Sequence, residues 1–201
     1  MATVSDEVED VVKAVMGNYG IYLRQVSETP WADAMDSIEY LEDFEDLNDK
    51  ELIGTLATWA GRSYKDFKRI WEGLSKEEKE KALGEIEHEI AVIGFESLLK
   101  GIAADFDVME NKDVRERIIN VAKRYLNGEI DFYDLAEELE NIFWPTEEDK
   151  KEYEEGLRYF WDGIGLTDYI EENEVKEMVK RYLIDELEAI GKTPDLGEPG
   201  P

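Results

Sequence analysis

The chain has 201 residues, of which 51 are Asp or Glu and 23 are Lys or Arg, leaving a formal net charge of -28. A phosphate backbone is held by basic side chains that displace its condensed counterions, so this field argues against direct binding of nucleic acid and against docking on an anionic membrane leaflet. There is no cysteine, which excludes a disulfide framework, a thiolate metal site and a cysteine nucleophile.

Residues 5 to 27 place Val8, Val11, Val12, Val15, Tyr19, Tyr22, Leu23 and Val26 three and four apart, the period of a helix with one buried face. Ser5 is its expected cap, and Thr29-Pro30 restarts the chain with a capping residue before a helix-initiating proline. Trp31, Ala34, Met35, Ile38 and Leu41 form the next apolar stripe. Asn48 with Glu51 opens a third helix that runs to Gly61, and a short fourth one follows Ser63 with Tyr64, Phe67, Ile70 and Trp71. Ser75 and Glu78 form a capping box for a long helix to about residue 102, whose second half, from Ile90 to Phe95, is apolar around most of its circumference. That marks it as central to the core.

A sixth helix is expected over about 112 to 127, ending at Asn127-Gly128, and a seventh from Asp131, burying Phe132, Leu135, Leu139 and Ile142 before Pro145 breaks it. Thr146 with Asp149 starts an eighth, carrying Tyr153, Leu157, Phe160 and Trp161, and a ninth runs from about Tyr169 to Ile190. Residues 192–201, with three prolines and two glycines, read as a mobile tail. The fold class is therefore all-α: a helical bundle of about eight to nine helices with no sheet, forming one domain over 1–191 or two lobes over about 1–104 and 105–191.

The composition, 42% hydrophobic and 11% aromatic, supplies a core and sets the chain apart from a disordered acidic tail. No uncharged apolar run approaches the roughly 18 residues that span a bilayer, and acids stand where a secretory signal carries basic residues, so a cytoplasmic location is expected. Abundant Glu and Lys with a single glutamine, Gln25, follow the trend of hyperthermophile proteins.

Glu85 and His88 have the Glu-x-x-His spacing that sets a carboxylate and an imidazole one turn apart on a helix face, as in ferritin-like di-iron bundles. Such a centre takes ligands from several helices, usually with two imidazoles, and this chain has one histidine. Neither a bound metal nor another cofactor is expected. Asn127-Gly128-Glu129-Ile130 has the glycine and isoleucine of a calcium loop, but Lys123 and Tyr125 stand at its first and third ligand positions, so it reads as a helix cap and turn.

Charge is segregated along the chain. Residues 25–49 and 125–149 each hold nine Asp or Glu and no Lys or Arg. A helical wheel sets Asp36, Glu39 and Asp43 opposite the apolar stripe of the second helix, with Tyr40 among them. In the seventh helix Tyr133, Glu137 and Glu140 fall likewise. A tyrosine ringed by carboxylates is a usable interface anchor, because it buries a large area at small entropic cost. These residues lead to the expectation of a non-catalytic interaction or regulatory protein that binds a basic protein surface, competing there with nucleic acid. A ferritin-like metal protein or oxidoreductase using Glu85 and His88, and a structural or assembly subunit packing through its apolar helices, are the alternative expectations.

Overall fold

A computed structural model describes residues 4–26 and 30–192, and the side chains within them except those of 4–5, 20–26 and 30–33. Every long element is helical, and no strand occurs among the described residues. In chain order they are α1 (Val4–Val26), α2 (Pro30–Asp46), α3 (Asp49–Ala60), α4 (Tyr64–Glu72), α5 (Lys76–Ala103), α6 (Phe106–Glu110), α7 (Lys112–Leu126), α8 (Phe132–Phe143), α9 (Glu147–Glu152) and α10 (Glu154–Gly165). A 3-10 turn, Leu166–Tyr169, leads to α11, built without a break from Glu172–Met178, a π-helical stretch Val179–Ile184 and Asp185–Lys192. The all-α expectation holds, with two elements more than the pattern suggested: the short α6, and a division at Tyr153 of what reads as one helix from Thr146. Thr29 and residues 193–201 lie outside the described residues, as do the side chains of Ser5, Tyr22, Leu23, Val26 and Trp31, while Lys192, expected in the tail, ends the last helix.

Local chemistry explains why the helices start where they do. The Asn48, Ser63, Asp131 and Thr146 side chains each accept a hydrogen bond from the backbone N–H three residues on, and Asp131 with Asp134 and Thr146 with Asp149 close reciprocal capping boxes. Ser75 and Glu78 do the same ahead of α5. The α6 helix has its own cap in Asp105, but five residues are too few to show a hydrophobic period. Most ion pairs are exposed and local, such as Lys13–Glu9 at 2.8 Å, a class worth about 0–1 kcal/mol each, so packing carries the fold.

The described residues divide into two compact units, one up to Ser97 together with Leu166–Ile170, the other Leu98–Gly165 with 171–192. The division falls inside α5. In the first unit α1 packs on α3 and α3 on α4, burying Val8, Val12, Val15, Leu56 and Phe67, while Ile86, Ile90 and Phe95 of α5 are fully enclosed. In the second, α7 packs on α6, α8 and the π-helical stretch, burying Val108, Ile118, Tyr125, Leu135 and Leu183. The tetrapeptide Lys-Arg-Tyr-Leu occurs at 123–126 in the α-helical α7 and at 180–183 in the π-helical stretch, so its two copies occupy unlike backbones.

Close approach in the first unit depends on Gly94. A Cβ there would lie 2.7 Å from Ser37 Cβ and 2.8 Å from Leu166 Cδ1. The Ser37 atom is fixed to the α2 backbone and cannot swing aside. Gly94→Ala should therefore destabilise the protein, since overpacking costs about 1–3 kcal/mol and the helix propensity regained is about 1 kcal/mol. Gly84, on the same helix, is exposed with nothing within 4 Å of such a Cβ. Gly84→Ala should raise the denaturation midpoint that Gly94→Ala lowers; equal shifts in chemical denaturation would show that the α2–α5 approach is not tight.

Candidate functional site

The sequence-derived site residues fall in different units, Asp36 to Asp43 in the first and Tyr133 to Glu140 in the second. In the second unit most of the acidic stretch has a local role. Asp131 and Asp134 cap α8, Glu129 lies 3.5 Å from Arg124, and Glu140 is half-buried with Lys150 at 3.8 Å. The flanking Arg124 and Lys150 thus supply counter-charge to a run that has none of its own. Tyr133 stays 52% exposed, its ring edge-on to Phe132, beside exposed Glu137 and Glu138.

The first unit differs. Glu39, Glu42, Asp43, Glu45 and Asp46 of α2 are exposed, and none lies within 4 Å of a Lys or Arg nitrogen among the described residues. Asp36 is half-buried. Tyr40 does not stand out among the acids as the wheel suggested. It is half-buried, with its ring 5.0 Å from Trp59 and 5.7 Å from Tyr19, because two aromatic side chains offered by α1 and α3 outcompete solvent for it.

The ring whose ionisation these acids influence is Tyr169, at the end of the 3-10 turn. Burial is the main influence raising its phenol pKa above 10.0, and the nearby carboxylates of Glu45, Glu87, Asp168 and Glu42 push it the same way. Helix period explains how Glu42 and Glu45 reach this point. They lie four residues beyond Ile38 and Leu41, both buried, so the stripe that faces the core continues into two carboxylates at its border. Acids on the continuation of an apolar stripe were the available signal in the sequence. Glu87 and Asp168 gave none, because only the folded chain brings them to α2.

The Glu87 carboxyl is itself pushed above its ordinary value of 4.5, first by burial and then by the Glu45 charge. A carboxyl whose folded pKa is raised contributes favourably below its unfolded pKa and loses that contribution as pH rises through the folded pKa. Glu87→Gln should therefore stabilise the protein at neutral pH, with the difference shrinking as pH falls toward 4.5. Denaturation midpoints measured across that range check this, and a pH-independent difference would contradict it.

Glu85 and His88 are half-buried in α5, and both influence the neighbouring Glu89, whose pKa is raised chiefly by burial. Among the described residues no three His, Asp or Glu side chains converge as metal ligands. No described helix is long and apolar enough to cross a membrane. Compared with known protein families, curated proteins and solved structures, the chain matches none.

Proposed function

We propose that this chain is a non-catalytic interaction or regulatory protein whose acidic face around Tyr169 binds a basic protein surface, taking the place that nucleic acid would otherwise occupy there. The observation that carries the reading is the run of exposed carboxylates on α2, none within 4 Å of a basic nitrogen among the described residues, two of which, Glu42 and Glu45, act with Glu87 and Asp168 on the half-buried Tyr169 phenol. Like charges brought together repel, and a cluster costs more than the same charges dispersed. A basic partner relieves that repulsion on binding, and the clustered field steers its approach. Tyr169 supplies what charge alone lacks, an amphipathic ring able to bury area at the centre of a polar rim.

Affinity capture from the source cell's lysate at low and high salt tests this reading. Proteins retained only at low salt should be lost when Glu42 and Glu45 are changed to Lys, and kept when Glu137 and Glu138 are changed instead. Equal loss from both variants would mean that net charge alone governs retention and that the Tyr169 face has no special part.

A further inference from the structure

A second feature of the first unit shares no residue with the acidic face. Between α1 and the segment from Arg62 to Leu74 lies a cleft of about 330 Å³, at the small end of the roughly 300–1,000 Å³ typical of small-molecule sites. Its floor is apolar, with Val11 and Phe67 buried beneath it, while Ile70 lines the cleft with 36% of its surface exposed. Its walls are charged and opposite in sign: Glu7 and Asp10 stand on α1, Arg62 and Arg69 on the other side.

These four charges do not meet. Among the described residues no carboxylate lies within 4 Å of Arg62, and the ion-pair partner of Arg69 is Asp66, at 3.7 Å, not an acid of the facing wall. The backbone that carries Arg62 is fixed: Gly61 ends α3 in the left-handed region at φ 67°, and the Arg62 N–H donates to the Ala57 carbonyl at 3.0 Å, so the chain turns sharply just before this arginine.

We infer that this cleft binds a small zwitterion with an apolar side chain, the chemistry of a free aromatic or aliphatic amino acid. Its carboxylate would be held by Arg62 and Arg69, its ammonium by Glu7 and Asp10, and its side chain would cover Ile70 and Phe67. A simple anion meets the carboxylates of the α1 wall and the field of a strongly acidic protein, and a simple cation leaves Arg62 unanswered. Only a ligand carrying both charges matches both walls.

Calorimetric titration of the full chain tests the assignment, with L-phenylalanine and L-leucine as probes and 3-phenylpropionate and phenethylamine as analogues that each lack one charge. At least one amino acid should bind saturably at a single site, and each analogue should bind at least about tenfold more weakly, the order expected for loss of a charge-assisted hydrogen bond. Arg62→Gln and Asp10→Asn, both at exposed positions, should each weaken binding of the amino acid by a similar factor while helicity and melting temperature stay at parental values. Absence of saturable binding by either amino acid would overturn the inference. So would analogues that bind as tightly as the zwitterion, or binding that both variants leave unchanged.

Discussion

Changing Glu42 and Glu45 to Lys should weaken association with a basic partner by at least about tenfold at low ionic strength, and should flatten the dependence of affinity on salt. The two residues are exposed on α2, lie within 4 Å of no basic nitrogen among the described residues, and raise the pKa of the Tyr169 phenol through their charge. Their reversal removes two attractive charges from the centre of the face and adds two repulsive ones. Folding should tolerate it, because surface substitutions usually shift stability by about 0.5 kcal/mol either way, and relief of like-charge repulsion acts in the stabilising direction. Glu137→Lys with Glu138→Lys alters net charge identically in the other unit, which makes it the internal control. The loss should appear mainly in the association rate and vanish near 1 M salt, where the screening length is roughly 3 Å. Tyr169→Phe, which keeps the ring and removes the hydroxyl, should leave the salt dependence intact. Binding kinetics against a captured partner decide the matter: an affinity equally sensitive to both double reversals reflects net charge, and one sensitive to neither removes this face from the function.

How much of this was legible in the sequence depends on the distance over which each feature is determined. The helix starts were legible because caps are local: Asn48, Ser63, Ser75, Asp131 and Thr146 need only the next three residues, and all five cap as their spacing implies. Burial was legible where the period was long, as in α5, where Ile90, Ala91 and Phe95 of the run read as apolar are fully enclosed. The π-helical stretch was not, since its Val179, Leu183 and Ile184 still read as an ordinary apolar stripe and one wider turn leaves almost no trace in spacing. The acidic face was half legible. Residues 25–49 announced the charge, but a helical wheel cannot show that Tyr40 finds aromatic neighbours from two other helices while Tyr169, far along the chain, comes under the influence of the α2 carboxylates. Both facts belong to tertiary packing, which sets the outward or inward choice at the edge of every stripe.

Trp59→Ala tests that packing, and should be among the most destabilising single changes in the first unit. The indole is 5% exposed and sits among three rings, with centroids 4.9 Å away at Tyr19, 5.0 Å at Tyr40 and 5.4 Å at Phe44, the latter two edge-on. Truncating a buried Trp costs about 3–5 kcal/mol in lost transfer energy and residual cavity, and each well-placed ring contact adds about 0.5–1.5 kcal/mol beyond area alone. Small domains are stable by only about 5–15 kcal/mol in total, so the first unit should be partly unfolded or strongly lowered in melting temperature. Tyr40→Ala should follow the same course more mildly, because its ring is half-buried in the same cluster. Tyr40→Phe should be less destabilising than Tyr40→Ala, since the ring contacts survive. The comparison separates a packing role for Tyr40 from a role as a partner anchor. A packing role lowers the denaturation midpoint of Tyr40→Ala in the isolated protein. An anchor would leave that midpoint unchanged and speed dissociation of the complex. If Trp59→Ala and Tyr40→Ala both melt with the parent, the aromatic cluster is not what joins α1, α2 and α3, and the position of the acidic helix must be fixed by its buried Ala34, Ile38 and Leu41 and by the Ser37–Gly94 approach.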